Sequence, residues 1–492
     1  MKTTPAPQSR ATAPPHRASP ELRRLAEQVF TRAAGAPLVA GNTVRILRDA
    51  RENYLAWLAA IAGARRSILF ENYIIANDAT GREFVAALAE RARAGVAVRL
   101  IYDWMGALGV GTRSLLQPLV EAGGVVRCFN TPHFDSPFGW LTRDHRKMVA
   151  VDGSVGYVTG LCVGSKWRGD PERGVDPWRD TGVEIRGPAV ADIERAFAQT
   201  WAAAAGDDID ELDVDIAGDV PPAGDMLVRV LASQPTTAGM YHLDQMIAAM
   251  ARDTLWLTDA YFVGVAPYVQ ALRAAAMDGV DVRLLVPGSS DMPLLSQLSR
   301  SGYRPLLEAG IRIFEWNGTM LHAKTAVADC RWARVGSTNL NIASWISNYE
   351  LDVAIEDAGF ARSMQDMYEE DLANATEIVL SDRRRVHPSA MARRPAAGSS
   401  GRASRAAAGA LRIGNTVSAA FSGRRTLGPA ESGLMFSIAL GFFLLAVIAV
   451  VVPLAITVPL AVLALWIAVT LLVRAWRTRR RVAGTRQGGG GN

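Results

Sequence analysis

His145-Arg-Lys147 closing on Asp152, and His322-Ala-Lys324 closing on Asp329, spell one pattern, H-x-K-x4-D, twice in a single chain. A chain that repeats such a signature is read first as a duplication, in which each copy folds as the same unit. The flanks agree with this. Gly95-Val-Ala-Val-Arg-Leu100 matches Gly279-Val-Asp-Val-Arg-Leu284, and Glu121-Ala-Gly123 matches Glu308-Ala-Gly310. The chain has only six histidines, and two of them open the matching apolar stretches Lys147-Met-Val-Ala-Val151 and Lys324-Thr-Ala-Val-Ala328.

The spacing carries chemistry. Side chains at i and i+2 of a strand share a face, so each histidine and its lysine project together while the aspartate ends the strand. Two halves packed face to face would bring together two imidazoles and two ammonium groups. One imidazole can attack phosphorus while the other protonates the leaving oxygen, and the lysines neutralise the non-bridging oxygens. No cofactor or metal is required. Asp180 in Trp178-Arg-Asp-Thr181 and Glu350 in Asn348-Tyr-Glu-Leu351 are candidates to orient an imidazole by accepting its second N–H. Ser337 and Asn339 of Gly336-Ser-Thr-Asn339 are supporting candidates, and Thr159-Gly-Leu-Cys162 fills the same place in the first half.

Strand patterns fall near Ser67–Ile75, Ala97–Trp104, Val125–Phe129, Met148–Val151, Val155–Leu161 and Gly182–Arg186. Helical patterns fall near Glu52–Ala62, Gly81–Ala94, Ser114–Ala122 and Val190–Ala203, and the second half repeats the order. This alternation predicts an α/β fold: two mixed-sheet lobes covered on both faces and related by a pseudo-twofold axis, with the site where they meet. The expected division is a flexible arm 1–35, a first lobe 36–206, an acidic, proline-punctuated linker 207–223 and a second lobe 224–382. Beyond these come a basic linker 383–431, an apolar segment 432–473 and a basic tail 474–492.

With these residues in view, the chain resembles the phospholipase D superfamily and, within it, the bacterial cardiolipin synthase branch. The likeness runs from about residue 40 to 380 and includes Phe70-Glu-Asn-Tyr73, Asp78-x-x-Gly81-x-x-Phe84, Tyr102-Asp103, Tyr261-Phe262 and Phe314-Glu-Trp316. It implies a duplicated phospholipase D-like fold whose catalytic residues are His145, Lys147, Asp152, His322, Lys324 and Asp329. It implies that His145 attacks a phospholipid phosphodiester, His322 protonates the alcohol released, and a second alcohol resolves a phosphatidyl-histidine intermediate. With phosphatidylglycerol on both sides the product is cardiolipin; in some relatives phosphatidylethanolamine supplies one partner. A hydrolytic phospholipase D forming phosphatidic acid would use the same residues and is the alternative. Relatives often carry asparagine where Cys162 stands, and Cys162 is read as filling a small buried space. Trp104 and Trp167 are read as packing residues.

Charge separates the chain into parts. Residues 1–35 carry +4, residues 383–492 carry +15, and the body between them carries −14. An acidic body argues against a nucleic-acid partner, which a basic surface would bind. From Ser432 to Val473 there are 42 residues without Asp, Glu, Lys or Arg, about twice the roughly 20 that one membrane span needs. Pro453 and Pro459 bracket the middle, which predicts a C-terminal transmembrane hairpin, Leu434–Val452 and Ala455–Val473. Arginines on both flanks predict that both ends are cytoplasmic, placing the body at the inner face of a bacterial inner membrane beside anionic phospholipid. The ten arginines of residues 383–425, unopposed by any acid, suit attraction to such a surface. Residues 1–35 lack an apolar stretch of signal-peptide length, so no cleaved signal is expected. Cys128, Cys162 and Cys330 lie far apart without metal-ligand spacing, which excludes a zinc cluster read from sequence and fits a reducing compartment.

Overall fold

The computed structural model describes residues 20–131, 141–205 and 212–380, except 213, 215, 217 and 236, together with scattered positions from 440 to 472. The first lobe contributes seven strands: β1 (Val39–Arg48), β2 (Ser67–Asn72), β3 (Ala97–Asp103), β4 (Val125–Phe129), β5 (Lys147–Val151), β6 (Val155–Thr159) and β7 (Thr181–Arg186). The second contributes β8 (Met226–Ser233), β9 (Thr254–Thr258), β10 (Asp281–Pro287), β11 (Arg312–Trp316), β12 (Thr325–Ala328), β13 (Trp332–Gly336), β14 (Glu350–Glu356) and β15 (Ala375–Ile378). The spatial order β1-β7-β6-β5-β2-β3-β4 in one lobe is repeated as β8-β14-β13-β12-β9-β10-β11 in the other, with β15 added at the far edge. The duplication in the sequence is therefore a duplication of topology.

The two copies meet at β1 and β8, which pair antiparallel with Val39 opposite Val228 and Asn42 opposite Met226, so one mixed sheet runs through both lobes. β2 and β5 are buried along their whole length, as central strands covered on both faces must be. Helices Ala189–Ala205 and Ala358–Leu372 cover one face, and one apolar cluster reaches from Met148, Phe197 and Trp201 to Trp256, Val353 and Met364. This shared core makes the lobes one packing unit. The opposite faces keep separate cores, around Trp57 and Phe84 in the first lobe and around Tyr268 and Trp345 in the second.

Several elements differ from the sequence expectation. Residues 20–34 of the expected arm form a helix, Pro20–Ala34, whose Ala34 and Phe30 pack on the second lobe's core. Arg229 holds it through Glu27 (2.7 Å) and Thr31 (3.2 Å). Strand β1 has no counterpart among the sequence-derived strands. β2 stops at Asn72 rather than Ile75, where the Asn72 side chain accepts the N–H of Ile74 (3.3 Å) and turns the chain. Residues 207–211, 213, 215 and 217 of the expected linker 207–223 and all of 383–431 and 474–492 lie outside the described residues, as does the expected hairpin apart from scattered helical positions. Among the described residues, no helix is long and apolar enough to cross a membrane.

Candidate active site

His145 and His322 stand two residues ahead of the equivalent positions Lys147, which opens β5, and Lys324, which precedes β12. Each histidine is tied by its backbone to the other lobe. His145 N–H donates to the Tyr349 carbonyl (2.9 Å) and Tyr349 N–H to that of Arg143 (2.8 Å), while His322 N–H donates to Arg179 (2.7 Å) and Arg179 N–H to Met320 (2.9 Å). The segments carrying Glu350 and Asp180 are thereby fixed alongside the opposite histidines.

The side chains cross over in the same way. His145 Nδ1 lies 2.8 Å from Glu350 Oε2, and His322 Nδ1 lies 2.7 Å from Asp180 Oδ2. An N–H on each Nδ1 satisfies the carboxylate and leaves Nε2 as the nitrogen that accepts or gives a proton, with Lys324 Nζ 3.1 Å from Nε2 of His322. The two carboxylates are held differently. Glu350 Oε2 also accepts the Ser337 hydroxyl (2.6 Å), and Oε1 accepts the Asn348 amide (3.1 Å). Asp180 Oδ1 accepts Thr181 N–H (2.8 Å). Gly160 packs so closely on Asp180 that a Cβ there would stand 2.3 Å from Oδ1; the shorter carboxylate is matched by the absence of a side chain where the second lobe has Ser337.

Lys147 and Lys324 turn their ammonium groups back on the carbonyls of their own histidines, and Lys324 Nζ is 2.9 Å from His322 Nδ1. Aromatic rings close the walls. Tyr73 stands edge-on to His145 (5.1 Å between ring centres), and Trp167, Trp178 and Tyr261 surround His322 at 5.6, 5.7 and 5.9 Å. Trp167, read from sequence as a packing residue, is thus a wall of the site.

Burial in this cationic setting controls the protonation states. Burial, then Lys147, Lys324 and Arg143, hold His145 well below the usual imidazole value. Burial and Lys324 lower His322 to about 4. That each histidine senses the other lobe's lysine places both halves around one cleft. Burial raises Glu350 despite Lys147, whereas His322 and Lys324 overcome the burial of Asp180 and hold it below the usual carboxylate range. Lys324 is itself brought down to about 8 by burial.

Asp152 and Asp329, expected among the catalytic residues, are not brought to the imidazoles. Each sits at the far end of its strand with a left-handed backbone, φ +56° and +51°. The Asp152 carboxylate collects the N–H groups of Arg65, Arg66 and Ser67 (2.9, 2.7 and 2.9 Å), and Asp329 those of Arg252, Asp253 and Thr254 (3.0, 2.8 and 2.9 Å). They therefore fix the strand next door to the histidine strand. Asn339 is buried two residues beyond Ser337, and its Oδ1 has no hydrogen-bond partner among the described residues. Cys162 is buried within reach of the fields of both lysines. Asn348, Tyr73, Trp178 and Tyr261 were quoted in motifs, yet nothing in their spacing marks them as site residues; only the topology does. Among the described residues, no three His, Cys, Asp or Glu side chains cluster to hold a metal.

Residues 57–201 and 244–372 match the family described as cardiolipin synthase, PLD-like domain. Cardiolipin synthase A of Pseudomonas fluorescens SBW25 is 34% identical over 74% of this chain and 73% of its own. That of Pseudomonas aeruginosa PAO1 is 35% identical over 73% of each. In fold, the chain is similar to the crystal structure of phosphatidylserine synthase from Haemophilus influenzae Rd KW20, with a TM-score of 0.57 at 13% identity, covering 71% of this chain and 92% of that one. The chain belongs to the cardiolipin synthase family of phospholipase D-type phosphatidyltransferases.

Proposed function

We propose that this chain joins two phosphatidylglycerol molecules into cardiolipin and free glycerol by two displacements at phosphorus. In the first, His145 Nε2 attacks the phosphodiester, the bond to the glycerol headgroup breaks, and His322 gives its proton to the departing oxygen. In the second, a headgroup hydroxyl of another phosphatidylglycerol loses its proton to His322 and attacks phosphorus, the P–N bond to His145 breaks, and cardiolipin leaves. Lys147 and Lys324 offset the charge on the non-bridging oxygens.

The observation that carries this reading is the crossed pair of imidazole–carboxylate contacts, with a lysine beside each ring. The division of roles is supported by the difference between the pairs. His145 is held firmly neutral opposite a carboxyl raised by burial, as a nucleophile needs, and His322 faces the ionised Asp180, which stabilises an imidazolium once the substrate phosphate arrives. A buried, aromatic-walled cleft disfavours water relative to a seated alcohol, which favours transfer over hydrolysis. The long apolar run after residue 431 supports a C-terminal hairpin in the bacterial inner membrane, with the body at its cytoplasmic face. Helical positions within the run, such as Phe443, Leu454, Val462 and Leu472, carry exposed apolar side chains.

Lipid mass spectrometry after incubating the full chain with phosphatidylglycerol vesicles, with and without phosphatidylethanolamine, tests the reading. Cardiolipin and glycerol are expected, and His145→Ala or His322→Ala should reduce turnover by about a thousandfold or more. Phosphatidic acid as the sole product would make the chain a hydrolase instead, and turnover surviving both substitutions would remove the two-histidine mechanism.

A further inference from the structure

The duplication lets one lobe serve as the reference for the other, and one buried cluster belongs to the first lobe alone. Glu71 on β2, Asp144 and Arg146 are all fully buried. Their places in the second lobe follow from the two motifs and from the strand ends that the motif aspartates hold, Ser67 matching Thr254. Those places are taken by Thr258, Leu321 and Ala323. Two carboxyls and a guanidinium thus stand beside the His145 segment where the other lobe has a hydroxyl and two apolar side chains. Buried ion pairs are seldom more stable than apolar packing of the same volume, so the cluster calls for a role other than stability.

His145 and Lys147 face the cleft, so the Arg146 side chain between them points to the other face of the sheet. There its guanidinium spans both lobes. Nη1 donates to the Ala196 carbonyl (2.5 Å) and the Thr200 hydroxyl (3.0 Å) on helix Ala189–Ala205, and Nη2 donates to the Ser233 carbonyl at the end of β8 (3.1 Å). Nε donates to the backbone carbonyl of Glu350 (3.2 Å), the residue whose carboxylate meets His145 Nδ1. The guanidinium also lies over the Tyr349 ring, 5.4 Å from its centre. One side chain next to His145 therefore fixes the backbone that presents Glu350. At the other crossing the arginine sits on the carboxylate's segment, as Arg179, and the histidine's segment has only Ala323.

Glu71 and Asp144 balance this guanidinium. Asp144 N–H donates to Asp103 Oδ2 (2.8 Å), and Asp144 Oδ1 accepts Arg146 N–H (3.2 Å). Asp144 Oδ2 and both carboxyl oxygens of Glu71 have no hydrogen-bond donor among the described residues. A proton on Asp144 Oδ2, given to the facing Glu71, supplies one and leaves a single carboxylate against a single guanidinium, the neutral state that a dry interior favours. Burial and the neighbouring Glu71 lift Asp144 well above the usual carboxylate range, in keeping with this. We infer that Arg146, balanced by Glu71 and Asp144, is a positioning residue for the nucleophile: it holds Glu350 against His145 Nδ1 and so aims His145 Nε2 at phosphorus. The inference rests on the proposed phosphatidyl transfer and adds a reason why the first lobe supplies the nucleophile.

The test is a single-turnover experiment with the full chain in excess over phosphatidylglycerol in vesicles. The rate constant of glycerol release reports the first displacement and, unlike the amplitude, does not depend on how much of the chain is folded. Arg146→Ala should lower that rate constant about tenfold to a hundredfold, the cost of a misplaced nucleophile, while the steady-state KM for phosphatidylglycerol changes by less than about twofold. Removing Arg146 alone leaves Glu71 and Asp144 without their counter-charge. The triple variant Glu71→Thr/Asp144→Leu/Arg146→Ala, which copies the second lobe and strands no buried charge, is therefore measured beside it and should be slowed as much. A rate constant within about twofold of wild type in either variant overturns the positioning role and leaves the transfer reaction standing. A wild-type chain that releases no glycerol overturns phosphatidyl transfer and the inference with it.

Discussion

At His322 the proton is held off by burial and by Lys324, and this has a consequence for stability. An unfolded imidazole takes a proton near pH 6.5, whereas the folded one resists until about 4. Between those values the unfolded chain binds more protons, so this group's contribution is present above about pH 6.5 and is lost as pH falls toward 4. Asp103 and Asp259, each lifted to about 7 mainly by burial, act in the opposite sense, since their contribution is lost as pH rises. The difference between two proteins isolates the histidine: from pH 7 to pH 5, wild type should lose more unfolding free energy than His322→Ala in urea titrations, and equal losses would contradict the assignment. The aspartates that end the motifs make a contrasting case. Asp329→Ala removes an acceptor of three backbone N–H groups at a left-handed position, so it should cost about 1–3 kcal/mol of stability. Turnover per folded molecule should fall by less than about tenfold, against about a thousandfold for His322→Ala; a loss as large as the histidine's would return Asp329 to the chemistry.

Among the elements, what the sequence could express was what lies within one strand. The i, i+2 spacing puts His145 with Lys147 and His322 with Lys324, and both carboxylates, Asp180 and Glu350, were visible in their motifs. Their exchange between lobes was not visible, because it depends on β1 pairing with β8 and on loops 143–145 and 320–322 pairing with residues of the opposite lobe. Helix Pro20–Ala34 was missed for a similar reason: its Arg- and Pro-rich neighbourhood reads as solvated, and its reason to order, Arg229, lies in the second lobe. The placement of Asp180 depends on such a long-range tie as well. Arg179 is buried and grips Asp371 on helix Ala358–Leu372 with two bonds (2.8 and 2.9 Å) and Asp49 with a third (3.1 Å), while its carbonyl anchors His322. Arg179→Ala leaves the half-buried carboxylates of Asp49 and Asp371 without their shared partner and should lower stability by about 1.5–3 kcal/mol. Chemical denaturation measures this directly, and a change within 0.5 kcal/mol, the range of an ordinary surface substitution, would show that the clamp is dispensable.

Across the whole molecule, two copies of one lobe become one enzyme because neither holds a complete histidine–carboxylate pair by itself. Duplication supplied near-equal halves, and small departures then made their sites unequal: Gly160 against Ser337 and Asp180 against Glu350. The charge distribution fits the same division of labour, with an acidic body carrying −14 and arginine-rich flanks of the apolar segment suited to an anionic membrane. The central claim is that His145 carries the phosphatidyl group and His322 moves the proton. Its most direct measurement is peptide mass spectrometry of the His322→Asn protein, acid-free and rapidly quenched after exposure to phosphatidylglycerol. With the proton donor and acceptor weakened, a phosphatidyl adduct should accumulate on the peptide containing His145. An adduct on any other residue, or none under conditions where wild-type enzyme turns over and the variant still releases glycerol, would contradict the account.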